Sequence, residues 1–274
     1  MTTPVMLVTG ATDGIGRATA EALATRGAHV LVHGRRVDRV ERVVNDLRAR
    51  HPGSASGVVA DLASLDAVRH LASEIRQQVA RLDVLIHNAG VFMSRRVMTI
   101  DGYETTFAVN HLAPFLLTRE LLPLLLASAP ARIVTVASVA HEQARLDLND
   151  LQGRRHFDGY EAYARSKLCN VLFTRALARR LAGRGVTANA VHPGVVTTKL
   201  LREGFGSTGI PVEDGAAGSV RLATDPALAD VTGRYFSKLR ETEPSEVARD
   251  DVLAERLWDV SEQLVARFTE QPPD

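Results

Sequence analysis

Short runs of apolar residues alternate along the chain with longer stretches in which apolar residues recur every three or four positions. Continuous apolar runs are typical of buried strands, and the periodic stretches, such as residues 17–26 and 36–50, predict helices. Strands alternating with helices indicate an α/β fold in which helices cover both faces of a parallel sheet. The predicted strands are residues 5–9, 29–33, 56–60, 84–87, 133–137 and 187–192.

Two polar segments interrupt this alternation. Residues 141–162 are charged, and residues 201–215 contain several glycines around Pro211. Both are typical of surface loops, and the second equally has the composition of a lid over a substrate site. There is no linker, internal repeat or low-complexity segment, so residues 1–274 are expected to form one domain, with a frayed tail at residues 271–274.

Composition argues against several classes of protein. The 274 residues are 45% hydrophobic, and 33 basic against 32 acidic residues give a net charge of +1, which favours neither nucleic acid nor a membrane surface. The most apolar stretch, residues 112–127, is too short and too interrupted by Arg119 and Glu120 to span a bilayer. The single cysteine, Cys169, lies in an apolar helical pattern that predicts core packing, and no cluster has metal-ligand spacing. We therefore expect a cytoplasmic protein without a bound metal.

A glycine-rich turn, TGATDGIG at residues 9–16, lies where the first predicted strand ends and a helix begins. Glycines let the backbone approach a pyrophosphate closely, and the first turn of a helix offers it unpaired N–H groups. The same residues also suit an ordinary tight turn, but their place after the first strand favours a dinucleotide site. The candidate contacts in this turn are Gly10, Thr12, Asp13, Gly14, Ile15 and Gly16.

The residues after the second strand bear on the choice between NAD and NADP. An NAD site usually has an acidic residue there that binds the ribose 2′-hydroxyl, whereas this chain reads HGRR at residues 33–36. A guanidinium binds a 2′-phosphate in a bidentate manner, so Arg35 first, with Arg36 or Arg17 as helpers, favours NADP(H) over NAD(H). In a chain this rich in arginine, the same residues are also consistent with a solvated helix start.

Two later strand ends extend the predicted cofactor site. Asp61 and Leu62 follow the third strand, where the carboxylate would bind the adenine amino group. Asn88, Ala89 and Gly90 end the fourth strand, and their small side chains would let the backbone pass beside the cofactor. Taken singly, each of these segments is only a strand end.

The sequence YARSK places Tyr163 and Lys167 four residues apart, which is one helical turn. A free tyrosine has a pKa of about 10, and a nearby positive charge lowers that pKa toward the working range. Ser138 ends an apolar strand upstream, at the edge where open α/β sheets bind ligands. Tyr160 serves as a comparison, because the residue four positions after it is Ala164 and supplies no cation. The pattern predicts a tyrosine acid or base in a hydride-transfer enzyme.

The glycine turn, HNAG, Asn110, Ser138, YARSK and HPG follow one another in an order that resembles the short-chain dehydrogenase/reductases, and the match covers nearly the whole chain. VNHLAPFLLT, SVAH and VHPGVV are similar to the retinol dehydrogenase-like branch of that family. The resemblance implies one doubly wound Rossmann domain with a parallel sheet of roughly seven strands.

The resemblance also implies roles for particular residues. Ser138 would hold the substrate oxygen, Tyr163 would transfer the proton, and Lys167 would bind the nicotinamide ribose and lower the pKa of Tyr163. Asn110 would hold a water that links Lys167 to solvent. The remaining contacts near the nicotinamide would come from Pro193, Gly194, Val196 and Thr198.

The leading hypothesis is an NADP(H)-dependent oxidoreductase that acts on a lipophilic aldehyde, ketone or alcohol. Val91, Phe92 and Met93 would begin an apolar substrate wall, although core packing explains them equally well. A ketoreductase that tailors a polyketide or another secondary metabolite is an alternative. A non-catalytic NADP-binding sensor or scaffold is a further alternative, against which the retained tyrosine and lysine argue. The helices that carry Asn110 and Tyr163 often pair between subunits in this family, which implies a homodimer or homotetramer.

Overall fold

A computed structural model describes residues 3–269 of the chain. Its centre is an eight-stranded sheet with the strand order β3-β2-β1-β4-β5-β6-β7-β8. The first seven strands in this order are parallel, and β8 pairs with β7 in the antiparallel direction. The strands are β1 Val5–Val8, β2 His29–Gly34, β3 Ala55–Val59, β4 Val84–His87, β5 Ala131–Val136, β6 Val186–His192, β7 Tyr235–Ser237 and β8 Arg240–Glu241.

The helices follow the strands in alternation, as the sequence pattern predicts. A π-helical turn, Ala108–Leu112, joins the short helix Thr105–Phe107 to the helix Ala113–Ala127, and a 3-10 turn, Val139–Gln143, follows β5. The helices are α1 Gly14–Thr25, α2 Val37–Arg50, α3 Leu65–Gln78, α4 Thr105–Phe107, α5 Ala113–Ala127, α6 Gly159–Arg180, α7 Lys199–Phe205, α8 Val212–Thr224 and α9 Asp251–Val265.

Two hydrophobic cores lie on opposite faces of the sheet because successive side chains of a strand point to opposite sides. In β1, Leu7 belongs to the core under α3, α5, α6 and α9, whereas Met6 and Val8 belong to the core under α1, α2 and α8. The predicted doubly wound α/β domain is therefore confirmed. The strand order reverses between β1 and β4, and ligands of open α/β sheets bind at such a reversal.

The structure differs from the sequence-based expectations in detail. Helix α1 begins at Gly14, inside the glycine turn, whereas the apolar pattern predicts a helix from residue 17. The segment 201–215 is not a continuous loop, since α7 occupies its start and α8 begins at Val212. The segment 141–162 is also not wholly at the surface, because His141 is completely buried. The predicted frayed tail, residues 271–274, lies outside the described residues.

Helix α9 covers the outer side of α6 through an array of ion pairs. Arg175 contacts Asp251 at 2.9 Å, and the Arg179 and Arg180 guanidiniums both contact Glu255, at 2.7 and 2.6 Å. Between residues 3 and 269, no helix combines the length and the apolar character needed to cross a bilayer. No group of three or more potential metal ligands converges within the same range.

Candidate active site

One cavity of about 640 Å³ opens at the carboxyl ends of the parallel strands. It runs from the glycine turn after β1 to Tyr163 and the segment that contains α7. Most of the predicted site residues meet there, although they come from distant parts of the sequence. The predicted residues that line it are Gly10, Thr12, Asp13, Gly14, Ile15, Gly16, Arg35, Asp61, Leu62, Asn88, Ala89, Gly90, Ser138, Tyr163, Lys167, Pro193, Gly194, Val196 and Thr198.

Close packing in the glycine turn excludes a side chain at Gly10 and at Gly16. Gly10 has φ +66°, and a Cβ on Gly16 would lie 2.2 Å from the Gly10 carbonyl oxygen and 2.4 Å from Asn88 Nδ2. Asp13 caps α1, where its carboxylate accepts a hydrogen bond of 2.8 Å from the Gly14 N–H. At these two glycines the backbone itself approaches the end of the cavity at the helix N-terminus.

Polar side chains join the ends of neighbouring strands behind this turn. Thr9 Oγ1 accepts hydrogen bonds from the backbone N–H groups of Asn88 and Ala89 at 3.0 and 3.1 Å, and the Asn88 amide donates to the Thr9 carbonyl at 2.8 Å. His33 Nδ1 accepts from the Gly10 N–H at 3.2 Å, and its Nε2 lies 3.2 Å from the Ala60 carbonyl. Burial lowers the pKa of His33 to about 4, so the ring is neutral near pH 7.

The arginines near the second strand are divided between the cavity and the surface. Arg35 and Arg39 line the cavity, and neither guanidinium forms a hydrogen bond or an ion pair with another of the described residues. Arg36, by contrast, binds Asp38 through two nitrogens at 2.9 and 3.0 Å, and it lies outside the lining. Arg17 is engaged by Glu21 and Asp46. The structure therefore favours Arg39, in the first turn of α2, over Arg36 and Arg17 as the second cation of this region.

Tyr163 and Lys167 share one face of α6, as their spacing predicts. Lys167 Nζ lies 5.6 Å from the centre of the Tyr163 ring and donates a 3.0 Å hydrogen bond to the Val136 carbonyl at the end of β5. Lys167 is buried and Tyr163 is half-buried, and burial lowers the pKa of Lys167 to about 8. The lysine still carries its proton near neutral pH.

Burial also governs the acidity of Tyr163. It raises the pKa of the phenol to about 12, while a hydrogen bond with Ser138 lowers that pKa and the neighbouring Tyr160 raises it. The lowering that we expected from Lys167 is not found, because the pKa of Tyr163 is shifted by burial, Ser138 and Tyr160 and not by the lysine. A phenol in this state is a proton donor at neutral pH, and it becomes a base only when its proton is drawn off.

Asn110 lies in the π-helical turn Ala108–Leu112, beside the cavity and completely buried. Its side-chain oxygen accepts a hydrogen bond from the Val91 N–H at 2.8 Å, and its amide donates to the Val91 carbonyl at 3.0 Å and to Ser166 Oγ at 2.9 Å. Asn110 therefore fixes the chain after β4 to helix α6. A π turn inserts one extra residue into a helix and is frequent at functional sites.

An aromatic group covers Tyr163 on the side away from the glycine turn. The Phe205 ring, at the end of α7, lies 4.8 Å from the Phe92 ring and 5.7 Å from the Tyr163 ring, measured between centroids. Tyr160 approaches Phe205 at 6.1 Å, and its hydroxyl donates to Gln143 at 2.9 Å. Val91 and Met93 line the cavity next to these rings. Of the apolar wall predicted from residues 91–93, Val91 and Met93 line the cavity, whereas Phe92 lies outside the lining and packs against Phe205 and Tyr163.

Several residues of the cavity were not identified from the sequence. They include His33, Arg39, Tyr160, Val139, His192 and Phe205. Arg39 lies in the first turn of α2, and its position directly after the second strand is the signal that could have identified it. No local signal connects Phe205 with Tyr163, because the two residues meet only through the path of the chain after β6.

Comparisons with known proteins agree with this geometry. The family model described as short chain dehydrogenase matches residues 4–206. Human Retinol dehydrogenase 14 is 42% identical over 95% of this chain and 85% of its own length, and bovine Retinol dehydrogenase 12 is 42% identical over 95% and 86%.

Several solved structures share this fold. An uncharacterised protein from Mycobacterium paratuberculosis superposes with a TM-score of 0.81 at 33% identity, covering 98% of this chain and 95% of the other. RhlG from Pseudomonas aeruginosa, described as an active-site complex with NADP, has a TM-score of 0.72 at 28% identity, covering 85% and 94%. A short chain dehydrogenase from Burkholderia cenocepacia in complex with NADP has a TM-score of 0.70 at 28% identity, covering 86% and 95%.

Proposed function

Because the chain belongs to the short chain dehydrogenase family, in its retinol dehydrogenase-like branch, and is therefore an oxidoreductase of alcohols and carbonyls, we propose that it is NADP(H)-dependent and acts on a lipophilic substrate. The observation that carries the proposal is one cavity with the glycine turn at one end and Tyr163, Ser138 and Lys167 at the other. These are the two parts that a nicotinamide-dependent reaction requires, since cofactor and substrate must meet.

The residues at the nucleotide end fit a dinucleotide phosphate. The glycine turn presents backbone to the cavity, and Arg35 and Arg39 bring two guanidiniums to its rim. No acidic residue follows β2, where an NAD site would usually have one. The NADP complexes of RhlG and of the Burkholderia dehydrogenase support NADP(H) as the cofactor. NAD(H) is the second candidate, and Arg35 is the residue that separates the two.

The bound cofactor would supply the hydride that reduces the carbonyl carbon. The protein supplies the proton and the orientation. Tyr163 donates its phenol proton to the carbonyl oxygen, and the Ser138 hydroxyl orients that oxygen. Lys167 remains charged below pH 8 and binds the ribose of the cofactor, while Asn110 holds the chain at Val91 and, as the family resemblance implies, a water beside Lys167.

The protonation state of Tyr163 bears on the pH dependence of the reaction. A pKa raised to about 12 by burial keeps the phenol protonated at neutral pH, the state from which it would donate a proton to a carbonyl oxygen. Oxidation of an alcohol requires a base, so it should gain relative to reduction as the pH rises.

The substrate end supports a lipophilic compound. Phe92 and Phe205 contact the Tyr163 ring, Tyr160 contacts Phe205, and Val91 and Met93 line the cavity beside them. Retinol dehydrogenases are among the relatives, and their name indicates one such lipophilic substrate. A tailoring ketoreductase for a polyketide or another secondary metabolite would use the same wall and remains the alternative. A non-catalytic sensor or scaffold is disfavoured by the presence of both Tyr163 and Lys167 in the cavity.

Three further features belong to this proposal. The chain forms one domain, residues 1–274, and residues 201–215 act as a lid over its site. The lid begins with α7, which has no buried residue and contacts Tyr163 through Phe205. The protein is cytoplasmic. A homodimer or homotetramer would have to use a surface that leaves α9 on α6, since α9 already covers that helix within the chain.

The experiment that tests this function is a carbonyl screen with NADPH and with NADH. Aliphatic, aromatic and polyene aldehydes, β-keto thioesters and a polar aldehyde such as glyceraldehyde would be compared by loss of reduced-cofactor absorbance. We expect NADPH consumption that is fastest with the apolar aldehydes. Preference for β-keto thioesters would favour the tailoring alternative. NADPH binding without turnover on any of them would favour the sensor.

A further inference from the structure

His141 is completely buried three residues after Ser138, yet it lies outside the cavity lining. Its ring lies against Tyr235 of β7, with 4.9 Å between the centroids. Both ring nitrogens make hydrogen bonds. Nδ1 lies 2.7 Å from the Ser138 carbonyl oxygen, and Nε2 lies 3.2 Å from the backbone nitrogen of Ser245.

These two partners define the tautomer of the ring. A carbonyl oxygen only accepts, so Nδ1 carries the proton and donates it to Ser138. A backbone N–H only donates, so Nε2 is unprotonated and accepts from Ser245. The ring must therefore be neutral, and burial lowers the pKa of His141, which keeps it neutral near pH 7.

The hydrogen bond from His141 Nδ1 is one of several that hold the short turn after β5. The Ser138 carbonyl also accepts from the His141 backbone N–H at 3.1 Å, and Ser138 Oγ accepts from the Ala140 N–H at 3.2 Å. Ser138 and Tyr163 line the same cavity, where hydrogen bonding with Ser138 lowers the pKa of Tyr163. A change in the peptide after Ser138 would therefore shift the serine hydroxyl relative to Tyr163.

The other partner comes from a part of the chain that has no other role in the site. Ser245 lies between β8 and α9, beyond residues 4–206 that the family model matches. The imidazole joins this C-terminal segment to the turn after β5. Rotation or loss of the His141 ring would break both hydrogen bonds, the one to Ser138 and the one from Ser245.

We propose that His141 is a positioning residue for Ser138, and that it holds the serine hydroxyl in register with Tyr163 by anchoring the Ser138 carbonyl to the segment around Ser245. The proposal rests on the proposed role of Ser138 in orienting the substrate oxygen. His141 itself touches neither substrate nor cofactor.

Three substitutions separate the two hydrogen bonds. His141→Asn retains a donor near the position of Nδ1, His141→Gln retains an acceptor near the position of Nε2, and His141→Leu retains neither. We expect His141→Gln and His141→Leu to lower kcat by roughly tenfold to a hundredfold, because a small misplacement of a catalytic group has effects of that order. His141→Asn should restore kcat to within about threefold of the wild type, and the Kd for NADPH should be the same in all four proteins.

A double-mutant cycle distinguishes positioning from a general loss of stability. If His141 acts through Ser138, His141→Gln should lower kcat in the wild type but have little further effect in Ser138→Ala. Equal factors in both backgrounds would overturn the proposal. Wild-type kcat in a folded His141→Gln protein would overturn it as well.

A measurement without turnover keeps this test independent of the proposed function. In protein with ¹³C-labelled tyrosine, the ring resonance of Tyr163, assigned with Tyr163→Phe, reports its hydrogen bond with Ser138. The resonance should shift in His141→Gln and His141→Leu and stay in place in His141→Asn. An unchanged resonance in His141→Gln would contradict the positioning role. Absence of turnover in the wild type, with these shifts present, would instead count against the proposed function alone.

Discussion

The two ends of the cavity differ in how their walls are held in place. At the nucleotide end, close contacts and hydrogen bonds fix the main chain: Gly16 packs on the Gly10 carbonyl, and the side chains of Thr9, Asn88 and His33 bind backbone groups of neighbouring strands. At the substrate end, the walls are side chains from separate segments, and Phe205 arrives on a seven-residue helix that has no buried residue. The first end therefore tolerates almost no change of shape, whereas the second can change its lining without changing the fold.

Gly16→Ala should produce the largest effect at the nucleotide end. The added Cβ would lie 2.2 Å from the Gly10 oxygen, so α1 and the glycine turn cannot keep their contact. We expect the Kd for NADPH, measured by fluorescence titration, to rise by roughly a hundredfold or more, which corresponds to about 3 kcal/mol.

Gly27→Ala is the matched control for this change, at the other end of α1. Its Cβ would meet no heavy atom within 4 Å, although φ +83° strains the backbone. We expect a lower unfolding temperature and an unchanged Kd for NADPH. A Gly16→Ala protein that binds NADPH like the wild type would contradict the main-chain character of this end.

Arg35→Ala should change cofactor choice rather than cofactor binding in general. A charged hydrogen bond contributes about 1.5–3 kcal/mol, so the Kd for NADPH should rise roughly tenfold to a hundredfold while that for NADH changes little. Arg36→Ala is the control, because its guanidinium is bound to Asp38 and should leave both constants unchanged. Equal losses in Arg35→Ala and Arg36→Ala, or a wild type without cofactor preference, would be inconsistent with this assignment.

Phe205→Ala should have a smaller effect, confined to the substrate end. Loss of an apolar ring removes about 1–2 kcal/mol of contact with an apolar substrate, so KM for a long-chain aldehyde should rise by roughly fivefold to thirtyfold. KM for glyceraldehyde and the Kd for NADPH should stay the same. Tyr160→Phe retains the ring beside Phe205 and should resemble the wild type. An equal rise in KM for the polar aldehyde would mean that Phe205 has no part in selectivity.

Lowering the pH should reduce the free energy of unfolding by a modest amount, through histidines at both ends of the cavity. Burial lowers the pKa of His33 at the nucleotide end and of His192 near Tyr163 to about 4, below the usual value of 6.5. The unfolded chain then binds protons first, so the free energy of unfolding falls as the pH drops from 6.5 toward 4, and these residues contribute no pH dependence above 6.5. Urea unfolding at a series of pH values measures this slope. A midpoint that is constant between pH 6.5 and 4.5 would refute it.

The same difference between the two ends explains what the sequence could predict. A main-chain site needs glycine at fixed spacing after a strand, so Gly10, Gly14 and Gly16 identify the nucleotide end, and Tyr163 and Lys167 are linked by one helical turn. Phe205, His141 and Ser245 carry no such local signal, because only the assembled fold brings them together. The raised pKa of Tyr163 could not be predicted from the sequence either, since it depends on burial in the folded chain and not on the spacing between Tyr163 and Lys167.

The central claim is that Tyr163 supplies the proton for reduction of a carbonyl at this site. Its most direct test is a single-turnover experiment in which enzyme loaded with NADPH is mixed with excess aldehyde, in the wild type and in Tyr163→Phe. The account predicts that Tyr163→Phe binds NADPH like the wild type but reduces the aldehyde at least about a thousandfold more slowly, within the range expected for loss of a general acid. A Tyr163→Phe protein that reduces the aldehyde at the wild-type rate would contradict the account.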